Sequence, residues 1–267
     1  MTYATDTVTA TQSEEDSLGF NAMARHRLLS RRGEPLLLGD WMRVLMIHFE
    51  VDAKQLQRDV PYQLDRYEGR AFVTLVAFTL ENLRPRCGGK LTAWLLKPIA
   101  THDFLNVRTY VCHNGEPGIH FLAEWLSNRL AVQLGPRTFA LPYRHGRICY
   151  QHDWQKKNLS GRVADARSGA AFAYEAITTP EASFLPCADG SLDEWLMERY
   201  AAFNAMGNRS RFFRVWHPPW PQSRAAVALK DLTLLRENWE CFHEARLIGA
   251  NFSPGLRRVW MGRPHRS

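Results

Sequence analysis

Asn106, Arg108 and Tyr110 alternate through the run Asn-Val-Arg-Thr-Tyr-Val, a spacing on which an amide, a guanidinium and a phenol can converge on one small molecule. In a β-strand successive side chains point to opposite faces, so these three share one face while Val107, Thr109 and Val111 share the other. Such a donor set suits a carboxylate, a carbonyl or an enolate, and the planar guanidinium fork matches a carboxylate best. The alternative is internal: Arg108 could be neutralised by Glu198 or Glu124, because ion-pair networks use the same residue types as pockets.

His217-Pro-Pro-Trp-Pro221 presents an imidazole and an indole on a stiff frame, since proline fixes its own φ and keeps its predecessor extended. It reads either as a pocket wall with His217 as a base and Trp220 against the ligand, or as a loop in which Trp220 only fills volume. His48, between Ile47 and Phe49, reads as a hydrogen-bonded core histidine. HExxH and the facial His/carboxylate spacings are absent, and His102-Asp103 and His152-Asp153 are neighbours that a strand would point apart, so no metal is expected. The glycine signatures GxGxxG, GxSxG and the P-loop are missing too, which leaves no sequence ground for a nucleotide cofactor or for α/β-hydrolase chemistry; no cofactor is expected. An imine-forming nucleophile would have to be Lys54, Lys90, Lys97, Lys156, Lys157 or Lys230, with its pKa brought from about 10.4 toward about 7 by burial or a second cation. Only Lys156-Lys157 has that cation adjacent, and Gln151, Asp153, Asn158 and Gly161 around it read as a solvated loop.

The elements that position these groups are mainly strands. Trp41 to Val51 alternates as a strand, and Asp52 caps a short helix that Pro61 closes. Leu64 to Tyr67, the turn Glu68-Gly69 and Arg70 to Leu80 read as a hairpin. Asn106 to Cys112 turns at Asn114-Gly115 into an antiparallel partner, Gly118 to Trp125. Ser127 caps a helix to about Leu134, which Gly135-Pro136 kinks or stops. Leu141-Pro-Tyr143 opens further strands at Arg147 to Tyr150 and Ala170 to Ile177, with a polar loop around Asn158 to Gly161. Ser191-Leu-Asp-Glu194 is a capping box whose helix buries Leu192, Trp195, Leu196 and Phe203. Arg224 to Leu235 is a strand, and Ser253-Pro-Gly255 turns into a last segment with Val259, Trp260 and Met261.

The chain has 267 residues, 45% hydrophobic and 23% charged, which supports one folded domain of β-rich size. Residues 1–35 read as a partly disordered N-terminal tail and arm, and residues 36–267 as the single domain. The longest apolar run, Ala71 to Leu80, is about half of what a membrane-crossing helix needs, and no membrane partner is expected. The early residues lack the positive charge of a signal or transit peptide, and Cys87, Cys112, Cys149, Cys187 and Cys241 form no CxxC pair, so a reducing cytoplasm is expected. The formal charge is +7, but the arginines are scattered, which disfavours nucleic acid as a partner; a small anionic molecule is expected, and a homo-oligomer stays open.

Asn-Val-Arg-Thr-Tyr-Val (106 to 111), Leu-Pro-Tyr (141 to 143), Glu-Arg-Tyr (198 to 200), His-Pro-Pro-Trp-Pro (217 to 221) and Phe-Ser-Pro-Gly (252 to 255), in that order, resemble the YqjF-like family of uncharacterised bacterial proteins. That family is placed in the acetoacetate decarboxylase-like superfamily. The resemblance therefore implies an α+β, mainly β fold: an antiparallel, cone-shaped β-barrel with a few flanking helices and an interior cavity. Active members of the superfamily use a pocket lysine that commonly follows a proline. Here Tyr143 and Arg144 stand where that lysine pair would be, and a phenol forms no imine. Phe104 stands where many YqjF-like sequences carry a carboxylate, leaving Asp103 to substitute.

The expectation is a non-covalent pocket for a small, oxo-acid-like anion, serving lyase or hydrolase chemistry without a Schiff base. Arg108 would hold the anion, helped by Asn106, Tyr110, Arg144 and Trp220, with Tyr143 as general acid and His217 as base. The rival expectation is a small-molecule-binding or scaffolding protein without turnover.

Overall fold

The computed structural model describes residues 20–88, 92–178, 183–207 and 209–266. The tail expected before residue 18 lies outside them. In chain order the elements are helix α1 (Phe20–Leu29), strand β1 (Leu37–Val51), helix α2 (Ala53–Arg58), strands β2 (Gln63–Leu64) and β3 (Ala71–Pro85), a 3₁₀ turn at Trp94–Ile99, and strands β4 (His102–His113) and β5 (Glu116–Leu126). Helix α3 (Arg129–Phe139), strands β6 (Tyr143–Asp153), β7 (Asn158–Asp165) and β8 (Ala171–Thr178), helix α4 (Leu192–Met197), strands β9 (Ala201–Met206), β10 (Arg209–Trp216) and β11 (Ser223–Asp231), helix α5 (Thr233–Arg236), a 3₁₀ turn at Glu240–Phe242 and strand β12 (Arg246–Met261) follow.

The strands hydrogen-bond in the order β10-β9-β5-β6-β7-β8-β11-β12-β1-β3-β4-β2, with β10–β12 and β5–β4 pairing as well. These cross-links make two closed circuits that share β12, β1, β3, β4 and β5. One returns through β6, β7, β8 and β11, the other through β9 and β10. Pairing is antiparallel except where β5 meets β6 and β9 in parallel, a departure from the all-antiparallel expectation.

The shared strands are buried on both faces. Leu45, Ile47, Val73, Leu75, Leu105 and Val107 join a large core with Leu159, Val163, Phe172 and Tyr174. Val44, Met46, Val76, Phe78 and Phe104 turn the other way. Three irregularities adjust which residues face which side. Register shifts occur between Met42 and Leu45, where Arg43 has φ 54°, and at Val107/Arg108 opposite β5; Asn82 in β3 has φ 53°. Each bulge resets the two-residue alternation, so Trp41 and Val44, Leu80 and Leu83, and Phe121 and Glu124 come to one side despite their odd spacing.

Asp52 caps α2 through Gln55 N at 2.8 Å. Several local expectations change. Strand β2 pairs with β4, not β3, leaving the Tyr67–Arg70 bridge as the only trace of the expected hairpin among the described residues. The expected loop at Asn158 to Gly161 is the start of β7. Asn128, not Ser127, caps α3 by accepting from Leu130 N and Ala131 N at 3.0 and 3.1 Å, and the helix runs through Pro136 to Phe139. Ser191 caps α4, but that helix ends at Met197, and Phe203 belongs to β9. Ser253-Pro-Gly255 does not break β12, because Gly255 adopts φ 123° with its α-carbon against the Trp41 carbonyl, where a Cβ would lie 2.4 Å from that oxygen.

Candidate functional site

The β9–β10 circuit encloses a cavity of about 380 Å³. One face of α3 covers it with Ala131, Leu134, Gly135, Thr138 and Phe139, the i, i+3, i+4, i+7, i+8 stripe of an amphipathic helix. Gly135 makes room for the phenol of Tyr143, because a Cβ there would stand 2.1 Å from Tyr143 Cε2 and only a bare backbone lets the ring lie against the helix. The Tyr143 ring meets Phe104 edge-on with centroids 6.0 Å apart.

Asn106, Arg108, Tyr143, His217 and Trp220 all line this cavity. Tyr110 and Arg144 do not. Tyr110 shares the face of Arg108, but its hydroxyl lies 2.5 Å from Thr74 Oγ1 and 2.9 Å from the Leu196 carbonyl, beneath the cavity floor. Arg144 follows Tyr143 directly and so points to the other face, where it donates to Asn238 Oδ1 at 2.5 Å and covers the Trp125 ring. Asp103 likewise faces away and accepts from Thr79 Oγ1 at 2.8 Å, while Phe104 lines the cavity.

Glu124, which the sequence offered only as a counter-ion for Arg108, completes the set. Glu124 stands opposite Asn106 in the β4–β5 register and beside Tyr143 in the β5–β6 register, giving a row of amide, carboxyl and phenol across three strands. Glu124 Oε2, Asn106 Oδ1, Arg108 Nε and Arg199 Nη2 are buried without a hydrogen-bond partner. Burial alone lifts the Glu124 carboxyl well above the usual carboxylate range, which favours the protonated, hydrogen-bond-donating form. Burial also raises the Tyr143 phenol.

Arg108 is buried at 7% exposure, and no carboxylate pairs with it among the described residues. Nη2 donates to the Leu196 carbonyl at 3.2 Å. Burial lowers its pKa, yet a guanidinium keeps its charge. Glu198 is held elsewhere, by Tyr200 Oη at 2.5 Å and Trp220 N at 2.8 Å, which ties the His217–Pro221 loop to the end of α4. Asn21 of α1 donates to Tyr200 Oη and to the His217 carbonyl, both at 2.6 Å, and fastens the same corner from outside. Arg199 is paired with Asp65 at 2.8 Å and packs over Trp195.

Burial favours the neutral form of His217 and His48. His217 Nδ1 lies 2.7 Å from the Pro218 carbonyl, an acceptor, so Nδ1 carries the proton and Nε2 the lone pair; burial lowers its pKa to about 4. His48, expected as a core residue, bridges Thr74 Oγ1 and Asn251 Oδ1 at 2.9 and 3.0 Å, with a pKa lowered by burial to about 3. Because Asn251 Oδ1 only accepts, neutral His48 donates from Nε2, takes the Thr74 proton on Nδ1, and leaves Thr74 to accept from Tyr110. The chain of bonds thus runs in one direction and leaves the Leu196 carbonyl to Arg108.

Among the described residues no Lys, Ser or Cys lines the cavity, and Lys54, Lys97, Lys156, Lys157 and Lys230 are all exposed. Lys90 lies outside the described residues. No group of three or more His, Cys, Asp or Glu converges among the described residues.

Residues 39–253 match the family model DUF2071, described as an uncharacterised conserved protein. The uncharacterised protein YqjF of Bacillus subtilis (strain 168) is 34% identical over 199 residues, which span 72% of this chain and 78% of that protein. Among solved structures, an acetoacetate decarboxylase-like enzyme from Sphingomonas wittichii RW1 aligns with a TM-score of 0.57 at 17% identity, covering 88% of this chain and 93% of that one. Acetoacetate decarboxylase from Legionella pneumophila gives 0.60 at 11% identity, covering 94% and 98%. The enduracididine biosynthesis enzyme MppR, complexed with pyruvate, gives 0.57 at 12%, covering 87% and 90%. At these identities the likeness is one of fold, and the fold is the acetoacetate decarboxylase-like one that the motifs implied.

Proposed function

The chain belongs to the DUF2071 family of uncharacterised conserved proteins, and from that premise we propose that its cavity binds a small oxo-acid-like anion and acts on it without an imine. The observation that carries this reading is Arg108: a buried, unpaired guanidinium costs several kcal/mol unless an anion arrives to meet it. Pyruvate in the similarly folded MppR supports the ligand class. The carboxylate of the ligand pairs with Arg108, and its carbonyl oxygen takes hydrogen bonds from neutral Glu124 and Tyr143. His217 Nε2 accepts the proton from the carbon next to the carbonyl, and the resulting enolate oxygen is stabilised by the Glu124 carboxyl and the Tyr143 phenol. A bound anion also raises the basicity of His217, which is weak in the empty site.

Thermal shift with 2-oxo acids against matched neutral ketones tests the binding. The acids raise the melting temperature of the wild type, and Arg108→Gln removes that rise; an equal rise in Arg108→Gln overturns the assignment. Turnover is read by proton NMR in D₂O, where deuterium enters the carbon next to the carbonyl faster with wild type than with Glu124→Gln. The absence of a lining Lys, Ser or Cys among the described residues favours a second reading, binding without turnover. Acids that bind and never exchange select it.

A further inference from the structure

We infer that the occupant is an amphipathic acid, with its head group at Arg108 and a hydrocarbon tail running to an apolar collar at the surface. The inference rests on the head-group reading above and adds the part of the ligand which that reading leaves undefined.

The strand registers supply an axis. His48, Thr74 and Arg108 share one level; Met46, Val76, Asn106 and Glu124 the next; then Phe78 with Phe104; then Trp41 with Leu80 and His102. At about 3.3 Å per residue, Arg108 to Phe104 is roughly 13 Å and Arg108 to His102 roughly 20 Å. The orphaned polar atoms of Arg108, Asn106 and Glu124 occupy the first two levels, and the two ring nitrogens of His102 are the orphans of the outermost level. Tyr143 stands beside Glu124, and Arg199 and His217 are close enough to Arg108 to feel its charge. Beyond those levels the lining on β1, β3 and β4 is apolar except for His102, and it continues through Leu36, Leu83, Leu96 and Ile99.

The apolar end reaches solvent at a collar. Leu134 lines the cavity and is nevertheless 48% exposed, Leu130 one turn earlier is 53% exposed, and Trp94 and Leu95, next to the lining residue Leu96, are 66% and 57% exposed. Asn128 Nδ2 donates to the Pro98 carbonyl at 2.7 Å and fixes α3 to the turn that carries Trp94 and Leu95. Pyruvate engages only the deep levels and leaves this wall uncovered. A hydrocarbon tail removes the wall from water, which gains about fourfold in affinity for each methylene buried.

Calorimetric titration of the full chain with straight-chain 2-oxo acids, from pyruvate to 2-oxododecanoate, tests this. Affinity climbs about fourfold per added methylene through the first several carbons and then levels off. In Ala131→Leu, whose fold is checked by circular dichroism, the plateau comes at a shorter chain. A flat series, with pyruvate binding as tightly as the long acids, overturns the tail. A rising series that is identical in Arg108→Gln instead overturns the head-group reading and leaves the tail standing. No binding at any length overturns both.

Discussion

The two chambers on either side of β1, β3 and β4 are made from the same strands, and they use their space in opposite ways. On the β6–β8 side Leu159, Val163, Phe172 and Tyr174 interlock with Leu45, Ile47, Leu75 and Val107. On the β9–β10 side about 380 Å³ stays open, and among the described residues the lining polar atoms left without partners are those of His102, Asn106, Arg108, Glu124 and Arg199. Packing to ordinary density stabilises the first chamber, while the second gives up contact energy and shelters a guanidinium that no carboxylate among the described residues directly pairs, with Glu198 acting on its charge only from a distance. The contrast teaches that the stability of this fold comes largely from the filled side and that the hollow side is where function draws on it.

Acid gives the largest expected effect. His48, His102, His152 and His217 have pKa values lowered by burial to about 3, 4, 4 and 4. In the unfolded chain they protonate near 6.5, so the stability they support is complete above that pH and is lost as pH falls toward the folded values, by about 1.4 kcal/mol per unit per histidine. Together that is several kcal/mol of a total that is typically about 5–15. Urea midpoints at pH 7, 5.5 and 4.5 should fall steeply; a flat profile breaks the picture of two dry chambers. His152, bonded to Tyr174 on the packed side, separates the two contributions, because ligand in the hollow chamber leaves its share unchanged.

Truncation sharpens the comparison next. Phe172→Ala should cost about 3–5 kcal/mol, since its cavity opens inside a filled core. Phe104→Ala, whose ring already borders empty space, should cost about 1–3 kcal/mol because fewer contacts are there to lose. Equal losses in equilibrium denaturation would mean that the hollow chamber collapses in solution.

Glu124→Gln comes last, because its effect vanishes at low pH and grows only as pH rises. Below pH 4.5 the carboxyl is protonated in both states and the variant gains nothing. Above it only the unfolded chain ionises, so the wild type loses stability with rising pH while the variant does not, a difference of at most about 3 kcal/mol at pH 7. A gain that does not grow between pH 5 and 7 would show that Glu124 is ionised in the fold.

Alternation in the Asn106–Tyr110 run made Asn106 and Arg108 legible from sequence alone, because period two is a local property. Glu124 was not, although it interrupts the apolar run Phe-Leu-Ala-Glu-Trp. Its importance depends on a register that crosses the bulge at Val107/Arg108, and no one-dimensional pattern reports that. Alternation gives Tyr110 the right face and the wrong depth, since the end of α4 closes over it. Strand β9 was missed because Leu192, Trp195, Leu196 and Phe203 mimic a helical stripe that the chain abandons after Met197. The five dispersed motifs conveyed the fold better than any single element did.

The two-faced strand β4 limits how this protein can change in length. Inserting or deleting one residue ahead of Asn106 would exchange its sides, carrying Leu105, Val107 and Thr109 into the hollow and pushing a guanidinium and an amide into the solid core. Divergence at this wall is therefore restricted to substitutions, to paired insertions, or to a new bulge that restores parity.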